Sequence, residues 1–518
     1  MAPTVEGTLR PVRRSGLRGW GPRRRSGEVR SSGAVLVCVS VCTALVVGFV
    51  AAINLAVPQL AASSLRPSSS SLLWIVDAYV VIFACLVIPA GAAGDKLGRK
   101  GVLMAGLGVF ACGAMVSAVA PHVAIMLIGR ALTGLGAACV LPNCVGILLH
   151  ATAPERRPHA LAVWAAASGI GGVVGNVGGG AVLSAGSWRA LFVAVALLAA
   201  CCLAWAARSA PRSARHERTL DLPGTLLFVA AVVALLIGII EGPEQGWGSA
   251  TVLIAFACTV LLSLCWVRVE LRVPHPMLDP RLFRDPALSS ASLGMTLTFF
   301  GSFGLFYVNA SLLQYGRGFS VLQAGLGIIP LTVPLLLGTR YVPGLIHRIG
   351  IPATLSTAFG LTGGGLLALS YASTMAYPVY AAGLFVIGLG IMLAAPCLTA
   401  QIASALPVER AGIAGGLQSA TRELGSALGV AVVGTVLTAG FTRHLPADLS
   451  RHAPLPRTVQ EALTLAPENH AAVTEAFTGG ADTALRAAAL VVLLAGGLVV
   501  AGTRRTRRPG SPASGTTT

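Results

Sequence analysis

The sequence predicts an all-α protein that crosses a lipid bilayer fourteen times. Three observations carry that expectation. Hydrophobic residues make up 55% of the 518-residue chain and charged residues only 11%, against about 25% charged in a typical soluble domain. Stretches of about 20 apolar residues recur, each long enough as a helix to span a hydrocarbon core of roughly 30 Å. The polar segments between them are short, and arginines gather at the ends of the apolar runs, where they set orientation and meet anionic lipid.

The elements follow in order. A tail, 1–34, carries eight arginines and reads as a disordered cytoplasmic arm rather than a nucleic-acid arm. The first span, 35–60, has too long a charged lead-in and too long an apolar run for a cleaved signal peptide. Further spans are expected at 72–92, 102–120, 123–149, 159–184 and 188–207. Then come 222–241 and 249–267, joined by a turn at Gly242–Gly248, and 288–314, 322–343, 352–372, 377–400, 411–438 and 483–502. One long outer loop, 440–482, reads as an exposed cap, and the last residues, 503–518, as a second disordered cytoplasmic tail. With the N-terminus in the cytoplasm, 28 of the 37 Lys and Arg fall on the inner side and 7 on the outer, leaving Arg130 and Arg422 within spans. That asymmetry puts both termini inside.

Several function classes are set aside. All eleven cysteines fall in predicted spans, no CxxC spacing occurs, and the nine histidines lie in loops or at span ends, so neither disulfides nor a metal centre is expected. No phosphate-binding loop of the Walker type is present, so ATP and other cofactors are not expected. A membrane-embedded enzyme would need more than the few ionisable groups the spans hold.

Those groups are the candidates for function, because a charge at mid-membrane costs about 2.5–3.5 kcal/mol on insertion scales. Asp77 lies one turn from Trp74. It is placed to hold a lipophilic cation or exchange a proton, or else to make a purely structural hydrogen bond. Glu423 is a second proton site or an anchor near the inner interface; its neighbour Arg422 points about 100° away on a helix, so the two need not pair. Arg130 faces the bundle interior, where it can tune a carboxylate. In GAAGDKLGRKG at 91–101, Gly91 and Gly94 permit close approach of helices, and Asp95 can cap a helix or accept from Arg99 or Lys100. This is a charged clasp between two helices, or a short inner loop obeying charge bias. A weakly similar segment, VPGLIHRIG, follows the tenth span and suggests duplicated halves with a site between them. The fifth span carries Gly169, Gly171, Gly172, Gly175, Gly178, Gly179 and Gly180, a seam for backbone-to-backbone packing or a rocking joint. Trp74, Phe299, Phe300, Phe303, Phe306, Tyr307 and Asn309 are offered as a pocket lining, the core of it Trp74, Phe303, Tyr307 and Asn309.

The residues Gly91, Asp95, Gly98, Arg99 and Lys100 match the inner-loop signature of the major facilitator superfamily, which the chain resembles. WIVDAY at 74–79, IGRALTGLGAACVLP at 128–142, SWRALF at 187–192, PMLDPRLF at 276–283 and TRELGSALGVAVVG at 421–434 are similar to segments of its fourteen-helix drug:proton antiporters, the EmrB/QacA type. The resemblance covers nearly the whole chain. It implies the major facilitator fold: a six-helix bundle at 35–207, two linker helices with cytoplasmic loops at 208–287, and a second six-helix bundle at 288–502. It implies a monomeric multi-pass carrier in the bacterial cytoplasmic membrane that exports drug-like small molecules, with the proton gradient as energy source. Asp77, Glu423 and Arg130 are its implied coupling residues, and Gly171, Gly175, Asn176 and Gly179 its antiporter-like motif, with Asn176 where that motif has proline. The chain departs from relatives at Phe49, Leu335 and Gln418, where they carry acids. An uptake carrier and a non-transporting sensor are the alternatives. Two lysines against 35 arginines point to a high-GC bacterium, where self-resistance to an antibiotic is one role.

Overall fold

The structure is a computed structural model that describes residues 25–211, 221–274, 276, 278–405, 411–452 and 455–505. The arginine-rich residues 1–24, the middle of the loop after the sixth span and the tail 506–518 lie outside the described residues. Among the described residues there is no strand, and fourteen helices are long and apolar enough to cross a membrane.

The first half comprises α1 (Arg25–Ala61), α2 (Ser69–Leu97), α3 (Arg99–Ala118), α4 (Val123–Ala151), α5 (Arg157–Ala185) and α6 (Trp188–Ser209). Two further helices follow, α7 (Leu222–Gln245) and α8 (Ala250–Glu270). The second half holds α9 (Pro286–Ser311, prolonged by one π turn to Gly316), α10 (Val321–Leu326), α11 (Ile329–Gly338), α12 (Val342–Ile349), α13 (Ile351–Ala372), α14 (Tyr377–Ser404), α15 (Ala411–His444), α16 (Ala447–Ser450), α17 (Val459–Leu465) and α18 (His470–Arg505). With fourteen crossings, Arg25 and Arg505 emerge on one side, here called the tail face; the loops after α1 and α15 lie on the far face.

Within the first half α4 packs on α2 and α3, α5 on α1, and α6 on α3; within the second, α15 and α18 pack on α9, and α13 on α14. The halves meet along α2 against α15 and α5 against α10. Helix α7 rests on both α2 and α15, so the extra pair sits beside the junction. Helix α8 buries only Val252, Ala255 and Glu270 and turns Leu253, Ile254, Val260, Leu261 and Leu264 outward, as a lipid-facing helix must.

Four expectations are corrected. Helix α1 starts at Arg25, inside the stretch assigned to the tail. The tenth span is not one helix: Gly327 and Ile328 separate α10 from α11, Pro334 lies inside α11, and α12 follows a single 3-10 turn. The loop expected over 440–482 is shorter, because α15 runs to His444 and α18 begins at His470, and two short helices occupy the rest. Thr, Gly and acidic residues scattered among the alanines before 483 dilute the hydropathy there, while the alanines favour the helix. The spans also hold acids beyond the expected Asp77 and Glu423, since Glu241 and Glu244 belong to α7 and Asp482 to α18.

The suspected internal repeat has a backbone counterpart. Gly98 (φ 103°) ends α2 and opens α3, and Gly350 (φ 80°) ends α12 and opens α13. Both stand in the left-handed region that favours glycine.

Candidate functional site: buried charges between the two halves

Asp77 is fully buried on α2, and neither carboxylate oxygen has a protein hydrogen-bond partner. Arg130, on α4, is fully buried beside it. Its Nε donates to the Ile75 carbonyl (2.7 Å) and Nη2 to the Val76 carbonyl (3.3 Å), while Nη1 has no partner. The guanidinium lies over the rings of Phe49 and Tyr79, 4.9 Å from each centroid. Arginine therefore grips the backbone of the turn that carries Asp77, not its carboxylate. Phe49 is the departure noted above, and it is what the guanidinium packs on. Phe49 also makes edge contacts with Tyr79, Phe110 and Phe192, so apolar packing and cation–π attraction stand where an ion pair would otherwise be built.

Glu423 is buried on α15, and the expectation that it need not meet Arg422 fails. Arg422 Nε and Nη2 both reach its Oε1, at 2.8 and 2.7 Å. Adjacent residues diverge at their Cα atoms, but the long arginine side chain curls back. Its guanidinium then lies 5.5 Å from the Phe299 ring centroid on α9 and within electrostatic reach of Tyr79. Leu73 of α2 packs on Gly434 of α15. Counted from that crossing, Glu423 sits seven residues nearer the tail face than Asp77, about 10 Å at 1.5 Å per residue. Gln418 donates to Thr399 Oγ1 at 2.8 Å, and Leu335 is half-buried.

The segment 91–101 ends α2 and starts α3. Arg99 pairs with Asp95 across the Gly98 break at 2.7 Å and lies along α4, where Gly146 leaves it room. Lys100 donates to the Ala207 carbonyl at the end of α6 (2.8 Å). Gly94 faces Asn143 with no space for a side chain, and Gly91 faces Pro142. These contacts tie α2, α3, α4 and α6 together inside the first half.

The fifth-span glycines divide by face. Gly171, Gly175 and Gly179 press on Ala44, Gly48 and Ala52 of α1, within the first half. Gly172 and Gly178 face open space. Another face, with Asn176 and Gly180, meets Gly325 and Val321 of α10 in the second half, so close packing within one half and the junction between halves use different residues of the same helix.

The expected pocket does not assemble. Asn309 accepts from Tyr380 Oη (2.8 Å) and lines a small cavity with Asn54, Asn176 and Phe306. Tyr307 lines a separate one with Leu72, Tyr315, Phe441 and Arg457. Trp74 Nε1 points at Glu241 (3.4 Å), and Phe303 stays with Phe299 and Phe306. Positions 307 and 309 are two apart on a helix and so face nearly opposite ways.

Sequence reasoning missed the far-face closure. Glu244 accepts from Ser69 Oγ (2.7 Å) and the Ser70 amide (3.1 Å). Thr435 donates to the Ile239 carbonyl (3.1 Å), and Gln314 to the Leu55 carbonyl (3.2 Å). The described hydrogen bonds joining the halves, directly or through α7, lie in their far-face portions. The signal was available: two acids at the end of an apolar run, opposite a serine-rich helix start.

Comparison with known proteins gives a consistent picture. The family described as Major Facilitator Superfamily matches over residues 39–430. The chain is 31% identical over 410 residues to "Multidrug resistance protein Stp" of Mycobacterium tuberculosis, covering 78% of this chain and 75% of that one. It is 31% identical over 403 residues to "Methylenomycin A resistance protein" of Streptomyces coelicolor (76% and 85% covered). To "Cephamycin export protein CmcT" of Amycolatopsis lactamdurans it is 33% identical over 436 residues (82% and 89%). In fold it is similar to an inward-facing bacterial homolog of the human lysosomal transporter Spinster, with TM-score 0.65, 17% identity, and 93% and 99% covered.

Proposed function

The chain belongs to the Major Facilitator Superfamily, and from that premise we propose that it is a proton-driven exporter of drug-like small molecules working by alternating access. It is a multi-pass membrane transporter. In the proposed orientation the tail face is cytoplasmic, as the arginine asymmetry requires, and the membrane is the bacterial cytoplasmic one. The relatives named for resistance and export support the direction. Both bundles and the cleft between them come from one chain, which acts as a monomer.

The observation that carries the reading is Asp77, a fully buried acid two turns into α2 from its far-face end, with no hydrogen-bond partner for either oxygen. An ionised carboxylate with no hydrogen bond in a dry site is costly, whereas a proton removes the charge. In the far-closed arrangement Asp77 is buried beside Arg130 and under the α2–α15 contact. When the far face opens, a proton from outside neutralises Asp77; when it closes, release toward the cytoplasm resets the halves. Arg130 is the cation beside the carboxylate, and because its hydrogen bonds go to the backbone it is placed to tune Asp77 without pairing with it. Glu423 is the less direct coupling candidate because Arg422 engages it.

The test is export of a fluorescent drug into inverted membrane vesicles. Accumulation is expected only under an inward-acid pH gradient and should stop on adding a protonophore. Gradient-independent movement, or none from inserted protein across a panel of drugs, contradicts the reading.

A further inference from the structure

The Arg422–Glu423 pair is asymmetric. Its arginine side chain is 33% exposed and its glutamate side chain 4%. Whatever approaches the junction of α2, α9 and α15 meets the cation first, with the carboxylate behind it. A guanidinium carries five N–H donors, and the bonds to Glu423 come from two nitrogens. Beside it runs a half-exposed aromatic stripe on α9, Phe299, Phe303 and Phe306, with successive ring centroids 6.2 and 5.5 Å apart. Phe306 ends the stripe next to Ala51 and Asn54 of α1, so it faces the first half and not lipid. By contrast, Asp77 is wholly buried and offers no open carboxylate to a cation.

We propose that Arg422 and the Phe299–Phe303–Phe306 stripe form the substrate subsite, and that it takes a flat aromatic body bearing a carboxylate. The ring system lies along the phenylalanines and the acid group reaches the free edge of the guanidinium. Glu423 holds Arg422 over Phe299 and is a positioning residue. At a partly desolvated site such as this one, a bidentate guanidinium–carboxylate contact is stronger than in water and selects for geometry. The inference names a substrate class for the exporter reading and rests on it for its biological meaning, but the binding step is measured separately from transport.

The experiment uses the purified full-length chain in nanodiscs and three probes with one aromatic body: 1-pyrenebutyrate, 1-pyrenebutanol and a pyrenebutyl-trimethylammonium salt. Binding is followed by fluorescence against empty nanodiscs. Pyrenebutyrate is expected to bind about tenfold or more tighter than the alcohol, the usual range for a hydrogen-bonded charge, and the ammonium salt weaker than both. Arg422→Gln should remove the preference for the acid while leaving alcohol binding, which also reports that the variant is folded. Arg422→Lys should restore part of it. Glu423→Gln, which removes the competing negative charge, should tighten pyrenebutyrate and not the alcohol. An acid-to-alcohol ratio near one in the wild type, or a ratio untouched by Arg422→Gln, overturns the proposal, as does a preference for the ammonium salt. If the acid binds as expected but is not moved by a pH gradient in vesicles, the subsite stands and the exporter reading falls.

Discussion

Gly171 and Gly172 are neighbours on α5 at the same membrane depth, yet they face different surroundings. A Cβ added to Gly171 would lie 2.6 Å from the Ala44 Cα and 2.8 Å from the Ala44 carbonyl oxygen, both backbone atoms of α1. Ordinary van der Waals contact begins at 3.4 Å, so α1 and α5 would have to part by about 0.8 Å along that direction. Backbone cannot swing aside as a side chain can. The Gly48 and Gly179 contacts, on the neighbouring turns, would be pulled open with it. Overpacking of this kind costs roughly 1–3 kcal/mol. A Cβ at Gly172 meets nothing within 4 Å, and glycine-to-alanine at an unstrained helical site gains about 0.4–1 kcal/mol through the unfolded state. Gly171→Ala should therefore melt several degrees below wild type and Gly172→Ala at or slightly above it. Both are read by scanning fluorimetry of the detergent-solubilised protein. If the two variants melt together, or if Gly172→Ala is the worse, the α1–α5 seam is not packed as described.

Three other outcomes follow from the same geometry. Gly98→Ala forces a Cβ into a backbone with φ 103° and should cost about 1–2 kcal/mol, lowering the melting temperature; Gly101→Ala, with nothing within 4 Å, is the matched control. Glu244→Ala removes the acceptor for Ser69 and Ser70 at the far-face closure, bonds worth about 1.5–3 kcal/mol for a charged acceptor. In that background, modification of Leu72→Cys by a membrane-impermeant thiol reagent should rise about tenfold, all native cysteines having been replaced. Phe49→Leu keeps the bulk over Arg130 but removes the ring, weakening a buried cation–π contact by about 2 kcal/mol; the expected result is a lower melting temperature and a shifted pH dependence of transport.

The fold was legible because a bilayer imposes a simple rule: long apolar helices with arginines at their ends. Hydropathy therefore found fourteen spans, although its windows were blind where composition and helix formation part company. The start of α18 is polar yet helical, and α10–α11 is apolar yet broken at Gly327. Motif spacing located the segment at 91–101 because its glycines meet real steric limits, at Asn143 for Gly94 and in the left-handed backbone of Gly98. Contacts set by side-chain reach were not legible. Arg422 bends back to Glu423, Trp74 turns to Glu241 rather than toward Asp77, and Tyr307 and Asn309 part to opposite faces of α9. Phe49 was visible in the sequence only as a missing acid; the guanidinium it supports belongs to a helix some eighty residues further along the chain.

The central claim is that Asp77 carries the proton that drives transport. It is tested most directly by comparing uphill and exchange transport in inverted vesicles for wild type and Asp77→Asn. The account predicts that the wild type accumulates drug under a pH gradient and also exchanges labelled for unlabelled drug without one. Asp77→Asn should lose accumulation and keep exchange, because the amide mimics the protonated acid and leaves the halves able to move. A variant that still accumulates drug under a pH gradient would contradict the claim.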